Sequence, residues 1–285
     1  MRSGYNTNGL AHHRLPDALR LLASLGYRSA AITIDHGSLN PYERDFPAQL
    51  RETRELLDEL GLSSVIETGA RFLLDPWQKH EPTFVSPEPT DRSRRIEFLR
   101  HAIDAAAALG SDCVSLWSGM LRDGVSRAEG FERLAEGLKR VLEYADDKNV
   151  VVGFEPEPGM LIDTMARYAE LAAAVPSPRL KLTLDVGHLH CLGETPIAEV
   201  IHRWADRLAN VHIEDMRAGV HEHLMFGEGE IEFEPVIAAL AEVGYAGGLH
   251  VELSRHSHQA PTAARQAYDF LAPRIAAVTP DLGKD

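Results

Sequence analysis

Apolar residues along the chain follow two alternating rhythms. Short runs rich in β-branched and aliphatic side chains recur at 30–35, 64–68, 113–117, 150–155, 180–185, 208–213 and 248–253, with a weaker run before Asn6. Between them, at 16–25, 47–60, 92–109, 128–148, 162–175, 196–207, 234–243 and 261–277, apolar positions repeat every three to four residues. That spacing builds one face of a helix. In the third such segment Ile96, Leu99, Ala102, Ile103, Ala106 and Leu109 form a single stripe. Prolines at 16, 47, 196 and 261 open helices, and glycines at 26, 61, 110 and 244 close them, as the Pro-start and Gly-stop asymmetry predicts.

The short runs are nearly continuously apolar rather than alternating, the pattern of strands covered on both faces. Eight strand-helix units, with no helix-only or strand-only block, predict an α/β protein whose parallel sheet closes as a (β/α)8 TIM barrel. One such domain accounts for residues 1–285. The competing fold, an open doubly wound sheet, lacks support: no Gly-rich phosphate loop follows a strand, and no linker marks a second domain. The longest irregular stretch, the loop at 69–90 after strand three, carries Trp77, His80, Phe84 and four prolines. Its length points to function and its aromatics to an ordered lid.

Composition narrows the function classes. The 285 residues hold 29 Lys plus Arg against 43 Asp plus Glu, a net charge of −14, which opposes a generic nucleic-acid binder. With 44% apolar and 25% charged residues the chain can bury a large core, and disordered and fibrous classes are excluded. No run approaches the ~18 apolar residues of a membrane span, and the N-terminus shows no signal-length apolar stretch. The two cysteines, Cys113 and Cys191, form no CxxC pair, which suits a reducing cytoplasm. Cys113, at a strand start, reads as core. Fourteen histidines among so many acids direct attention to metal ligands.

In a barrel of this kind the active site forms where the strands end, so the polar residue closing each apolar run carries the information. Four successive runs end in metal-competent side chains: Glu155, Asp185, His212 and Glu252. Singly, such a residue caps a helix or satisfies a core hydrogen bond. Together, three converging carboxylates without a cation would suffer desolvation and mutual repulsion, a conflict that a divalent cation removes. Three carboxylates and an imidazole are a hard, oxygen-rich set suited to Mn2+ or Mg2+, with Co2+, Fe2+ and Zn2+ as alternatives.

Glu155, the Asp185-Val-Gly-His188 step, His212-Ile-Glu-Asp215, the Phe226-Gly-Glu-Gly229 turn and the closing His250-Val-Glu252 resemble the xylose isomerase-like TIM-barrel superfamily. Its members include sugar-phosphate isomerases and epimerases, ketose 3-epimerases, inosose dehydratase and metal-dependent apurinic endonucleases. The resemblance makes Glu155, Asp185, His212 and Glu252 the metal ligands, and Glu155 and Glu252 also the acid/base pair on opposite faces of a bound sugar. It makes His188 a contact to substrate oxygens and Arg217 an anion or hydroxyl clamp. Glu157 departs from the family's usual neighbourhood after the first ligand, which leaves the substrate's identity open while placing Glu157 beside it. Trp117 ends strand four and offers a flat wall to a sugar ring.

The expected function is therefore a divalent-metal-dependent isomerase or epimerase of a sugar, sugar phosphate or keto-polyol, working by proton abstraction next to a carbonyl. A dehydratase begins with the same enolate and is the alternative. An abasic-DNA nuclease fits less well: the acidity, and a strand four ending in Trp117 rather than His, oppose it. His221-Glu-His223 resembles that branch's extra metal element, yet one metal is expected. His12, His13, His80, His256 and His258 are further pocket candidates. Arg71, Arg122 and Arg217 are the catalytic-face arginines that could meet a phosphate, and none sits in a phosphate motif. Dimers and tetramers are common in the resembling family.

Overall fold

The computed structural model describes residues 1–122 and 124–278; positions 123 and 279–285 of the expected domain lie outside the described residues. The strands are β1 (Arg2–Asn6), β2 (Ser29–Thr33), β3 (Ser63–Glu67), β4 (Val114–Leu116), β5 (Val152–Phe154), β6 (Leu180–Asp185), β7 (Leu208–Ile213), β8 (Asp215–Arg217), β9 (Val220–Leu224) and β10 (Gly248–Val251). The helices are α1 (Leu15–Leu25), α2 (Phe46–Leu60), α3 (Pro89–Leu109), α4 (Arg127–Asp147), α5 (Met165–Ala174), α6 (Val186–Cys191), α7 (Ile197–Trp204), α8 (Phe233–Glu242) and α9 (Ala260–Val278). Eight strands close a parallel barrel in the order β1-β10-β7-β6-β5-β4-β3-β2, and β8 and β9 form a separate antiparallel hairpin. The fold is the (β/α)8 barrel that the alternating rhythms predict.

Local chemistry explains where the boundaries moved. The helix expected from 162 begins at Met165, because Thr164 caps it by accepting the Arg167 N–H at 3.3 Å. The segment at 196–207 divides into α7 and a 3-10 turn at Ala205–Arg207. Helix α6 and the hairpin were not foreseen. Asp185 ends β6 and its Oδ1 accepts the His188 N–H at 2.8 Å, which starts a short helix directly off the strand. The hairpin residues are mostly polar and half-exposed, so they carry no periodic signal.

The inside and outside of the barrel differ in chemistry. The jacket between strands and helices is one apolar core that includes Leu19, Ile32, Ile66, Phe98, Leu138 and Leu249. Alternate strand residues point inward, and there Ala31, Val65 and Cys113 make a small separate cluster with Val151 and Ala209 against it. Elsewhere the interior is polar: Thr183 donates to Ser115 at 3.0 Å, and His250 meets Asn210 and Ser29. Gly4 has to be glycine, since a Cβ there would stand 2.4 Å from the His250 ring. The strands are thus buried on both faces, as their apolar runs suggest, but the inner face is filled by hydrogen-bonded side chains.

The long loop is anchored unevenly. Phe84 is buried and presses on Gly137 of α4, while Trp77 is 89% exposed. His80 stacks edge-on against Trp117 and bonds the Gly69 carbonyl. Among the described residues no helix is long and apolar enough to cross a membrane.

Candidate metal centre

Four neighbouring strands bring the four strand-end residues together. Glu155 follows β5, Asp185 ends β6, His212 lies near the end of β7 and Glu252 follows β10. Asp185 is in register with His212, which seats an imidazole beside a carboxylate at the barrel mouth. The donor atoms of all four lie within 4.8 Å of one another. His212 Nδ1 is their common neighbour, 3.0 Å from Glu155 Oε1, 3.0 Å from Glu252 Oε2 and 3.9 Å from Asp185 Oδ2.

Protons partly relieve the crowding of negative charge. Burial alone would lower the His212 pKa, but the carboxylates of Glu67, Glu155 and Glu252 outweigh it and hold the ring well above the ordinary histidine value. Burial pushes Glu155 up to about 8. Glu252 is partly buried, which alone would raise it, yet the charge and hydrogen bond of His212 hold it below the usual carboxylate range. Burial, with the charges of Asp185 and Glu252, also raises the Glu214 carboxyl well above its ordinary value.

This donor set fits a divalent cation. It is hard and oxygen-rich with one borderline nitrogen. Asp185 Oδ1 is occupied by a backbone N–H, while Oδ2 receives no N–H among the described residues. Protons on His212 and Glu155 would have to leave for a cation to bind there.

The other expected site residues fall at different distances from this centre. His188 is buried and its Nδ1 donates to the Pro156 carbonyl at 3.2 Å. Its Nε2 is left as an unpaired acceptor, 3.7 Å from Asp185 Oδ2 and 3.8 Å from Glu157 Oε2. Burial lowers the His188 pKa to about 4, so the ring is neutral. Glu157 reaches the same group and also lies 3.8 Å from His221 Nε2. His221 and His223, on β9, lie close to His188, with ring centroids 4.8 and 5.9 Å from it.

Trp117 is buried, with the Arg95 guanidinium 4.5 Å over its ring and His80 at its edge. Arg217 is not brought to the cluster: it is exposed on β8 and its Nη2 donates to the Glu228 carbonyl at 3.0 Å. Arg71 donates to Asp35 at 3.2 Å and to the Asn8 carbonyl at 2.7 Å, while Arg122 pairs with Glu81. His13 and Arg71 line a cavity at the ends of β1 and β2. His256 and His258 lie on a 3-10 turn after β10.

Several functional neighbours carried no motif. Asn8 Nδ2 donates to Glu252 Oε1 at 2.7 Å. Glu67 and Asn210 both touch His212 Nε2. Glu67 was detectable in principle, because β3 also ends in a carboxylate. Asp215 explains the Phe226-Gly-Glu-Gly229 turn: its carboxylate accepts N–H groups from Met216, Gly227, Gly229 and Ile231 at 2.8 to 3.1 Å. A Cβ on Gly229 would stand 2.2 Å from Asp215 Oδ1.

Barrel closure and this strand-end site define the class, and comparison with known families agrees. The chain belongs to the xylose isomerase-like TIM barrel family, whose model matches residues 19–274. Among curated relatives it is 25% identical over 262 residues to the L-ribulose-5-phosphate 3-epimerase UlaE of Salmonella paratyphi C, covering 91% of this chain and 89% of that protein. The counterpart from Escherichia coli strain SE11 is 24% identical over the same length. In structure it resembles a D-tagatose 3-epimerase-like protein (TM-score 0.79, 21% identity, 99% of this chain and 100% of the other). It also resembles an IOLI protein described with a binding zinc atom (TM-score 0.79, 17% identity, 98% and 100% covered). The chain is an enzyme of this family.

Proposed function

We propose that the protein is a divalent-metal-dependent 3-epimerase or isomerase of a ketose or ketose phosphate. The observation that carries this reading is the convergence of Glu155, Asp185, His212 and Glu252 on one point at the barrel mouth. The epimerase relatives support the substrate class. Glu155, Asp185, His212 and Glu252 hold the cation, with Mn2+ or Mg2+ suited to the donors and Zn2+ admitted by the zinc-bearing relative. When bound, the cation polarises a carbonyl and stabilises the negative charge that develops on its oxygen.

The chain's own residues move the proton. Glu155 and Glu252 come from opposite ends of the four-strand arc and flank His212 Nδ1 from two sides. A substrate seated between them meets one carboxyl group on each face. Asn8 holds Glu252 Oε1 and favours its ionised form, leaving Oε2 as the base. Glu155, on the other face, is placed to return a proton from the opposite side. Such an exchange inverts the carbon next to the carbonyl. His188 Nε2 accepts a substrate hydroxyl, and Glu157 beside it accepts or donates a second. Trp117 supplies apolar wall on the side away from Arg95.

Incubation with candidate ketoses and their phosphates in D2O, with Mn2+ or Mg2+ supplied, tests the proposal. Deuterium should enter at the carbon adjacent to the carbonyl as the epimer forms, and chelation should stop it. Full activity in a chelated, metal-free sample would sink the reading, as would loss of water from the substrate in place of epimer formation.

A further inference from the structure

His212 has two ring nitrogens and the structure commits both. Nδ1 faces the three carboxylates, so it is the atom that meets a cation and has to be unprotonated to do so. The ring proton then sits on Nε2. Two groups stand near Nε2: Glu67 Oε1 at 2.9 Å and Asn210 Nδ2 at 3.0 Å. An amide nitrogen is itself a donor, so only Glu67 can receive the proton's hydrogen bond.

A buried chain decides which way the Asn210 amide points. His250 Nδ1 lies 2.7 Å from Asn210 Oδ1 and donates to it, and His250 Nε2 accepts from the Ser29 hydroxyl at 2.8 Å. Ser63 in turn donates to Ser29 at 3.0 Å. With Oδ1 engaged by His250, Nδ2 is turned to Glu67 Oε1 at 3.1 Å. Every donor in this chain therefore runs towards Glu67. The opposite histidine tautomer would aim the Nε2 lone pair at a carboxylate oxygen 2.9 Å away in a buried site, with only the Asn210 amide, already turned to Glu67, as a donor.

We propose that Glu67, reaching across the barrel from β3 to β7, is the positioning residue that fixes His212 as the Nε2–H tautomer and so presents Nδ1 to the cation, and that the Ser29–His250–Asn210 chain holds Glu67 in that role. This rests on the reading of the strand-end cluster as a metal site. The orienting partners of metal-bound histidines typically change affinity by about 10–100-fold when removed.

Direct metal titration of the purified chain, with free Mn2+ counted by electron paramagnetic resonance, tests it without reference to turnover. Glu67→Ala should weaken Mn2+ binding by about 10–100-fold, and Glu67→Gln, which keeps an acceptor oxygen, by less. The 15N signals of His212 in the Zn2+ form, assigned by their loss in His212→Asn, should show one Nε2–H tautomer in the wild type and a mixture in Glu67→Ala. A merely structural role would lower stability without altering that signature. Unchanged affinity with an unchanged single tautomer in a folded Glu67→Ala protein overturns the inference. Should that variant fail to fold, Glu67→Met, which fills the space without offering an acceptor, decides in its place, and affinity and His212 signals equal to wild type overturn the inference. Failure of the wild type to bind any divalent cation overturns the metal-site reading itself, which separates the two outcomes.

Discussion

The two halves of the barrel mouth are built for different tasks. β5, β6, β7 and β10 bring the four donors, three of them carboxylates, into one crowded point. The half formed by β1 to β4 contributes no donor to that point; instead it supplies the groups that hold donors still. Asn8, just beyond β1, grips Glu252, and Glu67 on β3 grips His212. On the proposed reading, one half supplies the chemistry and the other holds it in place. Damage to the first should be nearly all-or-none, and damage to the second graded.

The largest effect should come from removing what the donor half exists to hold. Exhaustive chelation should abolish deuterium exchange and lower the thermal midpoint, with both restored by Mn2+, since a ligand bound only by the folded state stabilises it. Retained exchange after metal analysis shows the sample empty would break the comparison. Glu252→Gln and Glu155→Gln should each cost about 10²–10⁴-fold in kcat, the usual worth of a positioned acid or base. Single-turnover measurement at saturating metal separates that loss from weaker metal binding.

Next in size is the pH dependence of metal binding. Protons on His212 and Glu155 compete with the cation, so affinity should rise with pH, by about tenfold per unit for each proton displaced. The rise should become shallower above about pH 8, where Glu155 is already ionised, because His212 alone then has a proton to lose. Titration calorimetry across pH 6 to 9, in buffers of different ionisation heat, reads both the slope and the protons released.

The holding half should give smaller numbers. Asn8→Ala removes a hydrogen bond to a charged group, worth about 1.5–3 kcal/mol, and should lower kcat by roughly tenfold or somewhat more while metal content stays at wild type. Loss of the metal in that variant would place Asn8 with the donors instead. Arg217→Ala should be smallest: an exposed arginine bonded to a carbonyl of its own hairpin is worth about 0.5 kcal/mol or less. A tenfold rise in KM would put Arg217 on the substrate.

Much of this was written in the chain's pattern. The strand and helix rhythms, the proline and glycine punctuation and the four strand-end donors could all be read from spacing, because each depends on near neighbours in sequence. Among the holding residues, Glu67 ends a strand as the donors do, but what it and Asn8 hold could not be read from spacing. Glu67 acts on His212 across the full width of the barrel, and Asn8 meets Glu252 from the other end of the chain. Only barrel closure gives those pairs meaning. The hairpin was missed for a different reason: Asp215 shapes it through backbone N–H groups, which every sequence possesses. Arg217 is the converse case, a charged residue at a suggestive spacing that is exposed on the hairpin and bonded to the Glu228 carbonyl.

The clamp at Asp215 also bears on how such enzymes diversify. Its carboxylate ties the start of the hairpin at Met216 to the returning chain at Gly227, Gly229 and Ile231, so the segment between is a loop fastened at its base. His221 and His223 ride on that loop above His188. On the proposed reading, insertions, deletions or substitutions at the tip should alter which substrate is admitted without disturbing the donors below. Substrate preference and proton chemistry can then be inherited separately.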